Sequence, residues 1–463
     1  MEVHGLGARC LLKATGRKTE RARAAVFYLA ALALPAALAL ASGDRGHRGD
    51  MACFRDWYLA SRGDLPAMYR TPRRDVNYPV LGALQAAAPG RALEALDHRV
   101  PELPRFIALH KLFLAPWNSL LIALLAALGT ALGTPRPRAR AIALWALPWA
   151  WVGGLYFGQI DVVPAALQLA AAVCAARYLA AAPRGHRAVP WLAAALVCLQ
   201  ASLLAKQLAL FAAPSLLALA LAGTVRGWRA GHRGLAVGSA LAVPASFCLL
   251  RAPDAWLRLP HGWHAHLAYV YLAAGPPHAA MMGNAPGLWS YLGWAPEASS
   301  LDPIALEVTP RSLGLALFLG VAVTASLASA VLARRRLRAG DVRGLVALAL
   351  VHGGLVTLAA ATLLAGAHER YLYPAWALLL PGLSAELPRR ERAAWVVAGV
   401  YGLFVLSTVA WDAFALVFPL RSTQLVATLV LGLLGAVTVD LVRASLRPTR
   451  PPGTEPLSSA GTP

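Results

Sequence analysis

The chain has 463 residues, 58% of them hydrophobic and 14% charged, with a mean hydropathy of +0.55. A water-soluble fold of this length cannot hide so much apolar surface, so its repeated apolar runs of roughly 16–25 residues read as transmembrane helices. The net charge of +21 does not mark a nucleic-acid binder, because the basic residues fall in the turns between apolar runs and form no continuous face.

In chain order, six Lys and Arg within 1–23 precede the apolar run 24–41. This basic start stays cytoplasmic, although Ala39-Leu-Ala41 also resembles a signal-peptide cleavage site. A long loop, 43–105, follows on the outer side. Spans are expected at 112–133, with 106–111 in the interface, and then up to Phe157. The next leaves the turn 158–161 and runs to Ala181. The apolar stretch 188–223 is too long for one span and is interrupted at Lys206-Gln207, so it reads as a helical hairpin. A span ending near Leu250 leads to a second long outer loop, 251–311. Further spans follow at 312–333, 344–365, 374–387, 393–417 and 424–442.

The sum is an all-α polytopic transmembrane bundle of about 12 spans with two large outer loops. A cytoplasmic segment (1–23), a membrane domain (24–442) and a disordered cytoplasmic tail (443–463) make up the chain. The seven segments assigned inside hold 25 Lys and Arg, against three in the four short outer turns. The long outer loops hold 13, but long loops translocate largely regardless of charge. Strand alternation is absent, which argues against an outer-membrane barrel. The five cysteines (Cys10, Cys53, Cys174, Cys198, Cys248) are scattered, with no disulfide framework or metal spacing. No metal or other cofactor is expected, and the lipid bilayer is the first partner.

This topology gathers polar residues at the outer surface. The most polar run is 50–79, where Asp50, Asp56, Asp64 and Asp75 lie among Trp57, Tyr58, Tyr69 and Tyr78. Gln159 and Asp161, Lys206, Asn284, and His368, Glu369 and Arg370 reach the same side. An ionisable residue costs about 2.5–3.5 kcal/mol at a helix centre, and such residues near a membrane usually mark function. A cluster of both signs suits a polar ligand that carries a charged group.

Several motifs here resemble a known family. Gly49-Asp50-Met51 with Phe54 and Trp57, followed by Asp75-Val-Asn77-Tyr78-Pro79, looks like the first outer loop of the GT-C glycosyltransferases. The resemblance is to bacterial proteins similar to the glycosylphosphatidylinositol mannosyltransferases. Phe157-Gly-Gln-Ile-Asp161, Ala205-Lys-Gln207, Asn284-Ala-Pro-Gly-Leu-Trp289 and His368 through Pro374 continue it in family order.

The resemblance implies a GT-C fold in a bacterial inner membrane, with the active site on the outer face. It also implies a polyprenyl-phosphate sugar donor, with mannose as the sugar, and inversion at the anomeric carbon. The acceptor is a hydroxyl of a glycan, glycolipid or protein. The chemistry is compatible with the residues. A lipid phosphate leaves as a stable anion, so one carboxylate that takes the acceptor proton suffices, through an oxocarbenium-like transition state. The family places its catalytic acid early in this loop, which implies Asp50 as the base. Asp75 is the second candidate, to position the acceptor or share the proton, with Tyr78 fixing the chain beside it. Arg370 offers a bidentate fork and Lys206 a point charge to the leaving phosphate. Glu369 orients Arg370, His368 stands beside them, and Gln159 and Asp161 bind sugar hydroxyls. Asn284 and Trp289 position the acceptor or the loop.

Plainer readings stand beside these. Lys206 snorkels from a hairpin turn, Glu369 and Arg370 form a structural ion pair, and Asp161 caps the next helix. Asp44, Asp56 and Asp64, with His261, His264, His266 and His278, are solvated loop residues. The competing function is a transporter or flippase of a polar or lipid-linked sugar, which would show repeats or helices broken at the midplane.

Overall fold

A computed structural model of the protein describes residues 3–62, 78–258, 286–291, 304, 307–366, 369–410 and 420–447; the side chains of 3–18, 250, 251, 253–258, 369, 370, 408–410 and 420 lie outside that description. Among the described residues the structure is helical, with no β-strand. The membrane-directed rods are α1 (Val3–Ser42), α4 (Leu103–Ala131), α5 (Pro137–Ala146) continued by α6 (Pro148–Trp151), α7 (Val162–Ala181), α8 (Val189–Ala205), α9 (Ala213–Arg229) and α10 (Arg233–Arg258). Further along the chain come α11 (Pro310–Ala339), α12 (Val342–Leu363), α13 (Tyr373–Glu386), α14 (Pro388–Ala410) and α15 (Leu420–Leu446). They follow the expected spans one for one. Among the described residues, six stretches are long and apolar enough to cross a membrane: Thr19–Ser42, Leu103–Ala131, Val162–Ala205 (which holds both α7 and α8), Pro310–Ala339, Val342–Leu363 and Arg421–Leu446. The protein is a polytopic helical membrane protein.

Helix α12 is the axis of the bundle. It is buried along its length from Gly344 and packs against α7, α9, α11, α13 and α15. Small residues set its closest approach, because lipid provides no hydrophobic drive between helices and backbones must come near to gain dispersion. A Cβ on Gly354 would lie 2.7 Å from the backbone nitrogen of Leu379 on α13. One polar residue ties three helices: His352 on α12 holds the Ser215 hydroxyl (α9) at 2.7 Å through Nδ1 and that of Ser326 (α11) at 2.9 Å through Nε2. At one end of the bundle, arginine–carboxylate contacts join the helix ends. Arg336 meets Glu386 at 2.7 Å, Arg390 meets Asp440 at 2.5 Å, and Arg140 meets Glu391.

The other end departs from expectation. The described residues of 43–105 are largely helical, with α2 (Arg48–Ala60), α3 (Val80–Asp97) and the start of α4, which begins at Leu103 instead of 112. The physical reason is amphipathic spacing: Met51, Phe54, Trp57 and Tyr58 recur at helical intervals and are buried as one face of α2. Likewise α1 begins at Val3, so the basic start is helical. The hairpin within 188–223 forms as expected, broken at Lys206, where the backbone is extended before the 3₁₀ turn Gln207–Phe211. Residues 63–77, most of 259–303, 411–419 and the tail from 448 lie outside the described residues.

Helices α2 and α3 are stapled together at their outer surface. The Tyr58 hydroxyl donates to Glu94 Oε2 at 2.8 Å, and Arg62 Nε donates to Glu94 Oε1 at 2.8 Å. Gly90 lets α3 lie on the Tyr58 ring, since a Cβ there would clash with the ring at 2.3 Å from Cγ. Burial, then the Glu94 hydrogen bond and charge, push the Tyr58 phenol up to about 12. The hydrogen bond from Arg62, then that from Tyr58, pulls the Glu94 carboxyl below its ordinary value. The depressed Glu94 lends stability above its unfolded pKa and loses it as pH falls through the folded one. The raised Tyr58 lends stability below its unfolded pKa and loses it as pH rises toward about 12. The staple therefore weakens in both acid and strong base. Glu94→Gln should bring the Tyr58 phenol down from about 12 toward 10, read as tyrosinate absorbance against a Tyr58→Phe control. An unmoved titration would show that Glu94 does not hold Tyr58.

Candidate functional site

The site forms where five helix ends meet: the end of α1, the starts of α2, α3 and α7, and the end of α8. Its scaffold is the segment after α6. A π turn, Val152–Tyr156, runs into a reversal closed by three backbone hydrogen bonds: Phe157 N to Val152 O, Gly158 N to Gly154 O and Gln159 N to Gly153 O, at 2.8–2.9 Å. Gly158 takes φ +81°, a region that side chains seldom adopt, and a Cβ there would strike Met51 Sδ at 2.6 Å. This glycine therefore lets the 157–161 turn sit on the first turn of α2.

The turn delivers two polar side chains inward. Gln159 is 1% exposed, and its Nε2 donates to Asp50 Oδ2. Asp161 accepts from Lys206 Nζ at 2.6 Å, with both side chains only 3% exposed. Asp161 precedes α7 without a side-chain capping hydrogen bond, so its carboxylate serves the pair and not the helix end. Two charges removed from water this completely persist only as partners. The Lys206 ammonium also lies 5.1 Å from the centre of the Tyr78 ring and 5.4 Å from that of Tyr371, so two aromatic faces share its charge. Helix α3 reaches this place because Gly82 packs directly on the carbonyl of Ala205, where a Cβ would collide.

Asp50 lies in the first turn of α2 with its side chain 31% exposed, at the mouth of the cluster. His47 caps the helix: its Nδ1 accepts from Asp50 N at 3.1 Å and stands 3.1 Å from Asp50 Oδ2. Below, α4 supplies two side chains that brace the backbone. His110 Nε2 donates to Gly158 O at 2.8 Å, its ring stacked on Phe106 and tilted against Phe54. Lys111 Nζ donates to the carbonyls of Ser42 (3.4 Å) and Arg45 and lies 5.6 Å from the Tyr156 ring centre. Ser42 Oγ donates to Leu155 O at 2.9 Å and ties α1 to the π turn.

The structure thus brings together Asp50, Gln159, Asp161, Lys206 and Tyr78. Lys206 is buried and answered by Asp161, and Gln159 is buried against Asp50, so in this arrangement neither it nor Asp161 presents a polar face to solvent. Trp289 is buried and donates to Leu363 O at 2.9 Å, anchoring its loop to the end of α12. Asp75, Asn284 and His368 lie outside the described residues, as do the side chains of Glu369 and Arg370. The backbone of Glu369–Leu372 forms a 3₁₀ turn that carries Tyr371 to Lys206, so Arg370 is sequence-adjacent to the cluster. Sequence reasoning missed His47, His110, Lys111 and Tyr371. The signal available for two of them was the His-Lys pair interrupting an apolar run.

No family model matches the sequence, and no curated protein matches it. Among solved structures, the chain is similar to the archaeal oligosaccharyltransferase AglB from Archaeoglobus fulgidus, solved in complex with an inhibitory peptide and a dolichol-phosphate. The TM-score is 0.41 at 10% identity, over 90% of this chain and 56% of that one, so the chain spans little more than half the length of that protein.

Lys206→Met leaves the Asp161 charge buried and unanswered, and should destabilise the protein by about 3–5 kcal/mol. Adding Asp161→Leu should recover much of that loss. Thermal unfolding of the purified single and double variants in detergent checks the coupling; strictly additive losses would show that the two charges do not act as a pair.

Proposed function

We propose that this protein is an inverting membrane glycosyltransferase that moves a sugar, mannose by preference, from a polyprenyl-phosphate donor to an acceptor hydroxyl at the outer face of a bacterial inner membrane. The observation that carries the reading is a part-exposed carboxylate, Asp50, aimed by a buried amide, Gln159, and set beside the Lys206–Asp161 pair at one end of the bundle. In this reading Asp50 takes the proton of the acceptor hydroxyl as its oxygen attacks the anomeric carbon from the face opposite the phosphate. The C1–O bond to phosphate breaks, and the electron pair leaves on a phosphate oxygen. Arg370, next in sequence to Tyr371, is the proposed partner of that phosphate, with Glu369 and His368 beside it. Asp75 and Asn284 are proposed to position the acceptor.

In this reading Lys206 has a second part beside that of a point charge toward the phosphate. It fixes Asp161, and with Asp161 the turn that presents Gln159 to Asp50. The breaks in the rods at 152–161 and at Lys206 lie at the bundle end, which favours an enzyme over a transporter with its site at the midplane.

The test is transfer by the purified protein from a panel of radiolabelled polyprenyl-phosphate sugars, with water or an added glycoside as acceptor. Asp50→Asn should retain the fold and lower kcat by about 10²–10⁴, the range of a positioned general base. Near wild-type turnover by a folded Asp50→Asn protein would remove Asp50 as the base, and an inert wild type would overturn the reading.

The orientation is tested separately. In a cysteine-free background, Leu96→Cys, exposed at the end of α3, should react with an impermeant thiol reagent in intact cells, and Gly340→Cys at the end of α11 should not. The reverse pattern would place the cluster on the cytoplasmic side.

A further inference from the structure

The corner that presents Asp50 is built around a second titratable group. The His47 ring lies over Gly49, whose absent side chain leaves the room: a Cβ there would sit 3.3 Å from His47 Cε1. This packing brings one nitrogen, Nδ1, to 3.1 Å from both the Asp50 backbone nitrogen and Asp50 Oδ2. Those two contacts demand opposite things of the nitrogen. Toward the N–H it must be an unprotonated acceptor; toward a carboxylate oxygen it must carry a proton and donate. The pair therefore has two arrangements that differ by one proton. The His47 side chain is 28% exposed, which gives the ring a path to solvent. Charged or titratable groups close to this corner include Asp44, Arg45 and Arg48 in sequence and, on α4, His110 and Lys111, which bond the carbonyls of Gly158 and Arg45.

We infer that His47 is a positioning residue that relays the proton away from Asp50 after each transfer. The inference rests on Asp50 being the base. While the base is ionised, neutral His47 accepts the Asp50 N–H and holds the first turn of α2. When Asp50 has taken the acceptor's proton, the carboxyl passes it from Oδ2 to Nδ1. The imidazolium lets go of the backbone N–H and bonds the regenerated carboxylate. Loss of that proton to water restores the starting state. Proton count and charge balance: the acceptor loses H⁺, water gains it, and the donor phosphate departs as the anion. Gln159 Nε2 holds the Oδ2 side of the carboxyl toward His47.

The competing account is that His47 only caps α2. Asparagine and serine are better N-caps than histidine, so His47→Asn and His47→Ser keep the cap and remove the relay. Both variants are assayed for transfer from the donor that the panel identifies, in parallel with wild type and Asp50→Asn. Relay predicts a fall in kcat of roughly tenfold, below the 10²–10⁴ of a group that meets the substrate directly. Donor KM should be unchanged, and the pH–rate profile should change shape relative to wild type. Because either residue caps the helix, loss of folding in one variant leaves the other to decide. If both variants turn over at the wild-type rate with the wild-type profile while Asp50→Asn is inactive, His47 is a cap and the inference fails with the base intact. If Asp50→Asn turns over normally, the base assignment fails, and the relay with it.

Discussion

The Lys206–Asp161 pair is the constraint on which this end of the bundle depends. Each ion alone would cost several kcal/mol to hold away from water, so neither residue tolerates a geometry in which the other is absent. The partners come from different rods, one preceding α7 and one closing α8, and the tyrosines over the ammonium come from before α3 and before α13. A single charge contact thereby fixes the relative height of four chain segments. The turn 157–161 then has one position, and Gln159 reaches Asp50 from it.

Around that pair the support is made by side chains that bond backbone and not one another. Lys111 meets the carbonyls of the α1–α2 corner, His110 that of Gly158, and Ser42 that of Leu155. Carbonyls freed by tight turns and helix ends need donors when buried, and α4 delivers two of them from one turn. The part-exposed Asp50 carboxylate thus rests on a stack in which Gln159, the 157–161 turn and the α1–α2 corner are each tied by hydrogen bonds.

The architecture was readable because length and apolarity alone place membrane rods, and the rods appear where the hydrophobic runs lie. The hairpin break at Lys206 was legible for the same reason: a lysine and a glutamine interrupt an otherwise apolar stretch. Three things were not. The helices of 43–105 hide behind polar residues, since α2 buries a face of Met51, Phe54, Trp57 and Tyr58 while the rest of its surface meets water. The partner of Lys206 is a tertiary fact, because Asp161 lies 45 residues away and nothing local links them. The cap at His47 escaped because histidine is not among the residues that usually begin helices. The gathering of Asp50, Gln159, Asp161 and Lys206 at one end did follow from topology, since alternate helix ends must share a side.

The burial of Lys111 also bears on how the chain is made. Helix α4 enters the bilayer carrying a cation within its own length, and a lone lysine there opposes partition by up to about 2.5–3.5 kcal/mol, depending on depth. The acceptors that relieve it, the carbonyls of Ser42 and Arg45, belong to a segment synthesised earlier. That segment leaves the ribosome before α4 does. The order of synthesis thus matches the order of need: the first rod and its corner form a dock, and the lysine finds its ligands on arrival. Circular permutation that delivered α4 before α1 would remove that advantage and leave the helix to pay its insertion cost alone.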